Sequence, residues 1–153
     1  MESIITLIDK NNEEQMHQML AIRQEVFVIE QRVPPEVEYD EFEEQSYFYL
    51  ATLNGNPAGT ARWRFTGKGI KLERFAVLKV FRGRGVGSAL LGAILEEISR
   101  RPDASDQLLY LHAQTHAMPL YEKYGFRPKG QSFMEAGIAH FLMVLPAREG
   151  EGH

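Results

Sequence analysis

The chain contains no cysteine. Disulfides, thiolate zinc sites, iron–sulfur clusters and covalent catalysis through sulfur are thereby excluded. Long apolar runs are missing too: no stretch approaches the ~20 residues a membrane-spanning helix needs, so a membrane protein is not expected. The start, Met1 to Asp9, has neither a basic segment nor a small-residue cleavage site, which makes the cytoplasm the expected compartment. A net positive charge is absent, since 17 Lys and Arg face 21 Asp and Glu for a formal charge of -4. Such a chain is a poor partner for DNA or RNA, and none is expected. No His-Glu-x-x-His occurs, so no metal is expected either.

What is present fits a globular fold. At 153 residues, 44% hydrophobic and 25% charged, the chain has the size and composition of one domain with a real core. With no repeat or linker, that domain is expected over residues 1–147, followed by a polar tail over 148–153. Charge is unevenly distributed. Between residues 62 and 87 stand eight cations (Arg62, Arg64, Lys68, Lys71, Arg74, Lys79, Arg82, Arg84) against a single acid, Glu73. A compact basic zone on an acidic body suits a small phosphorylated ligand better than a long polyanion.

Apolar alternation predicts a strand over 2–8, and the recurrence of Met16, Met19, Leu20, Arg23 and Phe27 at spacings of three and four predicts a helix with Asn12 as N-cap. Pro34-Pro35 is expected to end that region. Six acids then fall within residues 36–44, a run that reads either as a solvated loop or as a means of steering a cationic amine. Strands are predicted over 47–53, 58–65 and 70–78, joined by turns at Asn54 to Pro57 and Gly67 to Gly69. Strict alternation would place Leu72, Arg74 and Ala76 on one face of the third, and Lys71, Glu73, Phe75 and Val77 on the other. From Val86 the period becomes helical through Leu90, Ala93, Ile94 and Ile98 until Pro102. A strand over 108–113 follows, then a helix capped by Thr115 with Pro119 in its first turn and Gly125 at its C-terminal end. Strands over 126–129 and 138–145 close an α/β fold with a mostly antiparallel sheet and one strand–helix–strand crossover.

The strongest chemical signal is Arg82-Gly83-Arg84-Gly85-Val86-Gly87, lying between a strand and a helix. Glycines here let successive N–H groups converge at the positive end of the helix dipole, which makes a pyrophosphate cradle. A dinucleotide-binding G-x-G-x-x-G would need glycine at 88 or 90, where Ser88 and Leu90 stand, and no P-loop Gly-Lys-Ser/Thr exists.

The stretch from Arg74 to Leu91 resembles the acetyl-CoA-binding signature of the GNAT acetyltransferase superfamily, Q/R-x-x-G-x-G/A, at Arg82, Gly85 and Gly87. Leu120-Tyr121-Glu122-Lys123-Tyr124-Gly125-Phe126 resembles its second hallmark. The segments Arg23 to Gln31, Ala113 to His116 and Glu135 to His140, with Met143, look like the ElaA-like branch. The resemblance implies the GNAT acyl-CoA N-acyltransferase fold and acetyl-CoA as cosubstrate. Its pyrophosphate would lie on the amides of Arg82, Gly83, Arg84, Gly85, Val86, Gly87 and Ser88, and its pantetheine along the backbone of Phe75, Ala76 and Val77. The Val77 amide would then face the thioester oxygen, an oxyanion-type contact. Gln114 stands where the family commonly has an asparagine that contacts pantetheine.

The resemblance further implies Tyr121 as general acid beside the sulfur. For the base, Glu73 and His112 both remain open, Glu73 against an ion pair with Lys71 or Arg74 and His112 against a satisfied buried imidazole. Arg23, Phe27, Glu30 and Gln31 would lie at the substrate mouth, with His116 and His140 lining the acceptor pocket. The implied reaction carries acetyl directly to a primary amine of a small molecule or peptide in a ternary complex, in a protein that could pair as a homodimer. The alternative is an acyl-CoA-binding sensor of the same fold without turnover. An acyl-homoserine-lactone synthase, suggested by the Arg-x-x-Val-Phe start, is disfavoured by the glycine loop.

Overall fold

The computed structural model describes residues 3–146. The tail expected over 148–153 lies outside them. Eight strands form one sheet: β1 (Ser3–Leu7), β2 (Tyr47–Leu53), β3 (Asn56–Thr66), β4 (Gly69–Val77), β5 (Leu109–Gln114), β6 (Arg127–Pro128), β7 (Phe133–Glu135) and β8 (Ile138–Leu145). Their order is β1-β2-β3-β4-β5-β8-β6, with β7 added on β8. All pairings are antiparallel except β4 with β5. That pair is parallel because helix α3 (Val86–Ser99) crosses between its strands.

Helix α1 (Glu13–Arg23) covers one face, and its N-cap Asn12 accepts a bond from the Gln15 N–H. The helical path does not stop at Phe27. It continues as a π-helical turn over Gln24–Glu30, closed by the Gln31 N–H on the Val26 carbonyl at 3.0 Å. Pro34 and Pro35 do not simply end the region, since Pro35 opens the short helix α2 (Pro35–Glu38), where a missing N–H costs nothing. Met19, Ile22, Val26 and Phe27 pack with Phe48, Leu50 and Ala76 on this face. On the other face α3 buries Val86, Leu90, Leu91, Ile94 and Ile98 against Trp63, Ile70, Leu72 and Leu111. Helix α4 (Met118–Lys123) lies on that side too. Thr115 makes no capping bond and instead starts a 3-10 turn. Gly125, at φ 97°, does terminate α4: its N–H bonds Glu122 and the Phe126 N–H bonds Tyr121, the paired bonds of a Schellman end.

The faces expected for β4 are corrected by a β-bulge. The β3–β4 register passes from Thr60 opposite Ala76 to Arg62 opposite Glu73, so Ala61 alone faces both Arg74 and Phe75. Arg74 takes up the extra residue at φ 58°. Beyond it the alternation is inverted: Leu72, Phe75 and Val77 join the α3 core, whereas Ala76 joins the α1 core. Glu73 therefore does not share a face with Val77.

Ion pairs continue the α1-side core beyond the helix. Arg62, fully buried, bonds Asp40 at 2.7 Å, Glu43 at 2.6 Å and Glu73 at 2.6 Å. Arg23, 1% exposed, bonds Glu38 at 2.5 Å and Glu43 at 2.8 Å. Arg74 reaches Glu38 at 2.8 Å and Asp40 at 3.1 Å. The acid run is thus only half a solvated loop: Glu36, Glu41 and Glu44 are exposed, while Glu38, Asp40 and Glu43 are folded onto three arginines. Burial alone would raise the Glu73 carboxyl, but the charges of Arg62 and Lys71 and the Arg64 hydrogen bond outweigh it and hold Glu73 at about 2.

A carboxyl lowered in the folded state stabilises the fold fully above its ordinary range and loses that contribution as pH falls toward the folded value. For Glu73 the window runs from ~4.5 to about 2 and is worth about 3 kcal/mol as an order of magnitude. Urea unfolding at stepped pH should give Glu73→Gln a lower stability than wild type at pH 7 and a shallower decline below pH ~4.5. Parallel declines would contradict this role.

Candidate active site

Helix α3 begins without a side-chain cap or an acid in its first turn. Its first intrahelical bond runs from the Ala89 N–H to the Gly85 carbonyl, so the N–H groups of Val86, Gly87 and Ser88 carry no helical partner and lie at the positive end of the dipole. Gly83 and Gly85 hold φ 78° and 80° with open space around the missing Cβ. Conformation, rather than crowding, requires glycine there. Ser88 is tied down by Tyr124, whose hydroxyl lies 2.8 Å from Ser88 Oγ and donates to the Ser88 carbonyl at 2.9 Å. The loop and the helix start therefore present three N–H groups in an arrangement that suits an anion.

Below that surface β4 and β5 part. Among the described residues they pair only over Ile70–Leu72 with Leu109–Leu111, and the rest of β4 has no neighbouring strand on that edge. The Leu78 N–H bonds the Ala58 carbonyl at 2.9 Å, so antiparallel alternation turns the Val77 N–H and carbonyl away from β3, into the gap. The gap belongs to a cleft of about 840 Å³ that α4, the π-helical turn and the β7–β8 hairpin also line. Tyr121 enters it from α4, held edge-on by Phe75 at 5.6 Å and Phe126 at 6.2 Å between ring centroids. The residue is 6% exposed, and among the described residues no protein group bonds its hydroxyl. Burial pushes that hydroxyl well above the usual tyrosine range, so it stays protonated at neutral pH.

Across the cleft, Arg82 and Glu30 form two parallel bonds of 2.6 and 2.7 Å, and Arg82 Nε donates to the Val77 carbonyl at 3.0 Å. Beside them Gln31 and Gln114 exchange amide bonds, the shorter 2.9 Å. The end of the π-helical turn is thus stitched to both sides of the gap. On the β5 side His112 Nδ1 lies 2.9 Å from Glu135 Oε1, while His140, 6% exposed, bonds the Ile138 carbonyl through Nδ1 at 2.7 Å.

Most residues singled out in the sequence meet in this cleft: Tyr121, His112, Gln114, Phe75 to Val77, Arg82, Gly87, Phe27, Glu30, Gln31, His116 and His140 all line it. Ala76 contributes backbone only, its side chain being in the α1 core, and Val86 turns into the α3 core. Arg23 does not reach the cleft; its guanidinium is used up on Glu38 and Glu43. Glu73 reaches the lining, yet its carboxylate is shared by Arg62, Arg64 and Lys71, not by Arg74. Glu135 carried no assignment from the sequence. The available signal was the hairpin: Ala136 and Gly137 both have positive φ, a two-residue turn that a glycine in second place announces. Among the described residues no group of three or more His, Asp or Glu side chains could hold a metal ion.

A parallel strand pair that opens beside an uncapped helix start is the architecture of the acyl-CoA N-acyltransferases. The sequence model of the acetyltransferase (GNAT) domain matches residues 7–146, and the chain belongs to the GNAT acetyltransferase family. The uncharacterized N-acetyltransferase YjcF of Bacillus subtilis (strain 168) is 42% identical over 134 residues, 87% of this chain and 94% of its own. Among solved structures, Escherichia coli ElaA superposes with a TM-score of 0.76 at 26% identity, covering 94% of this chain and 99% of its own. An aminoglycoside 6'-N-acetyltransferase complexed with coenzyme A shares the fold with a TM-score of 0.73 at 16% identity, over 95% of this chain and 99% of that one.

Alanine at Gly85 would have to hold a left-handed backbone that costs an L-residue about 1–2 kcal/mol. Gly85→Ala should lower the melting temperature by roughly 2–8 °C at ~2–4 °C per kcal/mol. An unchanged melting temperature would mean that the loop relaxes out of this conformation.

Proposed function

We propose that this protein transfers the acetyl group of acetyl-CoA directly to a primary amine of a small molecule or peptide within a ternary complex. The observation that carries the proposal is the pair of unspent donors in one cleft, the Val77 N–H and the Tyr121 hydroxyl, beside the bare start of α3. The residues fit the cosubstrate. The N–H groups of Val86 to Ser88 would hold a pyrophosphate, and the unpaired edge of β4 would take pantetheine as an added strand. When bound, the thioester supplies an acetyl group ready for transfer to a nucleophile.

The chain's own residues then divide the work. The Val77 N–H donates to the carbonyl oxygen as negative charge develops on it. Tyr121, kept protonated by burial, donates a hydrogen bond to the sulfur as the C–S bond breaks and keeps its own proton, so the sulfur leaves as a stabilised thiolate. An alkylammonium must lose a proton before its nitrogen can attack, and His112 is the base we assign. Glu73, the other group considered, is held ionised by three cations and is correspondingly weak as a proton acceptor. Tyr121 also separates turnover from mere sensing of acyl-CoA, because a sensor has no use for a proton donor in the gap.

Thiol release from acetyl-CoA in the presence of spermidine, lysine, glucosamine or an alanine-initiated tetrapeptide tests the proposal. Release should depend on at least one of these amines, and Tyr121→Phe should slow it by about 10²- to 10⁴-fold while leaving the Kd for CoA unchanged. Release that ignores every amine, or that survives Tyr121→Phe, would overturn the assignment. Binding is checked separately through Glu30. Its bridge to Arg82 is more than a third exposed on both sides and must give way for Arg82 to meet a phosphate. Calorimetry should show Glu30→Gln binding CoA up to about fivefold tighter, the limit for an exposed pair of ~1 kcal/mol. Weaker binding would instead make the bridge a support of the loop.

A further inference from the structure

We infer that Glu135 is a positioning residue for His112, fixing its ring so that Nε2 is the free proton acceptor in the cleft; this rests on His112 being the base proposed above. Strand β7 is only three residues long, but its two-residue turn at Ala136-Gly137, with φ of 52° and 76°, locks it on β8 with Glu135 opposite Ile138 and Phe133 opposite His140. In turn β8 pairs with β5, placing Leu142 opposite His112 and His140 opposite Gln114. Side chains two residues apart on a strand share a face, so Phe133 and Glu135, His140 and Leu142, and His112 and Gln114 form one surface. It is the face opposite that of Leu111, Ala113 and Met143, which belong to the α3 core.

On this surface the His112 ring is held from two directions. Phe133 meets it edge-on at 5.0 Å between centroids, and Glu135 Oε1 lies 2.9 Å from Nδ1. A carboxylate can only accept, so Nδ1 carries the proton in this bond and the lone pair of the neutral imidazole falls on Nε2. Glu135 is held below the usual carboxylate range, chiefly by that same bond, with the nearby charge of Lys71 acting in the same direction. Its second oxygen stands 3.8 Å from His140 Nε2, a weaker tie to a ring already anchored on the Ile138 carbonyl. When an ammonium proton moves to Nε2, His112 becomes an imidazolium facing a carboxylate, so Glu135 favours the transfer without taking the proton itself. The arrangement parallels the carboxylate–histidine part of a hydrolase triad, and rate losses of ~10- to 100-fold are a reasonable scale for removing such a support.

Long-range ¹H–¹⁵N spectra of the free protein, with His112→Asn to assign the ring, read the tautomer without any substrate. Wild type should show the Nδ1–H form and Glu135→Gln a shift toward Nε2–H, with Glu135→Asp in between and the fold checked by near-UV circular dichroism. With whichever of the four panel amines is turned over fastest, Glu135→Gln should lower kcat by about 10- to 100-fold with the KM for acetyl-CoA unchanged, and Glu135→Asp should restore part of it. The double variant should be no slower than His112→Asn alone. An unaltered tautomer in a folded Glu135→Gln protein overturns the inference even if acetyl transfer proceeds. A double variant markedly slower than His112→Asn would make Glu135 an independent participant and overturn it as well. Absence of transfer to all four amines tells against the proposed reaction instead, and the spectra still decide the role of Glu135.

Discussion

Arg74 adopts φ 58° in the middle of a strand, a conformation that L-residues avoid, and the chain holds it there with the buried carboxylate of Glu38 and the half-buried one of Asp40. Glu38, which accepts from Arg74 at 2.8 Å, is itself buried against Arg23, so the bulge in β4, the end of α1 and the segment after Pro34 are tied into one ionic cluster. The bulge is what turns Phe75 and Val77 toward α4 while Glu73 stays on the α1 side. Without it Val77 would keep the alternation of Leu72 and Glu73, and its N–H would not face the gap between β4 and β5. A cluster of this kind contributes order more than net stability, since breaking one partner of a buried pair costs several kcal/mol while the intact pair roughly offsets its own desolvation.

The same cluster changes the meaning of the basic zone. Of the eight cations between residues 62 and 87, Arg62, Arg64, Lys71 and Arg74 are neutralised by Glu73 and by acids of the 36–44 run. The charge excess counted along the sequence is therefore not a field concentrated at the glycine loop. What the loop offers an anion is directional: three N–H groups at a helix start, with Arg82 at hand on the other side of a salt bridge to Glu30. Two parts of one stretch of sequence, the cations that order β4 and the glycine loop proposed to receive phosphate, thus do different work.

The order of the longer elements, the crossover and the glycine loop were legible because each is written in local chemistry: period-2 runs, a helical period after Gly85, and Gly125 as a stop; β7 and α2, three and four residues long, are too short to carry a period. Asn12 and the two ends of α4 show how far such signals reach, for the N-cap bond and the Schellman end both formed where the sequence put them, while Thr115 gave way to a 3-10 turn. The bulge was not legible, because nothing about Arg74 announces a left-handed residue, and one extra residue inverts every later side chain. Arg23 and the acid run misled for a related reason. Charges distant in sequence find each other only after folding, and a residue that looks available for a substrate is then consumed by Glu38 and Glu43. Glu135 was missed because its partner, His112, lies on another strand and only the β7–β8 hairpin brings them to 2.9 Å.

The gap between β4 and β5 is proposed to receive an acyl thioester with its carbonyl on the Val77 N–H. A crystal structure with an uncleavable thioether analogue of acetyl-CoA addresses this directly. The account predicts the analogue's carbonyl oxygen within hydrogen-bond distance of Val77 N, its sulfur beside the Tyr121 hydroxyl, and Arg82 turned from Glu30 to a phosphate. An analogue seated anywhere else, or a gap still bridged by Arg82 on the Val77 carbonyl with the analogue bound, would contradict it.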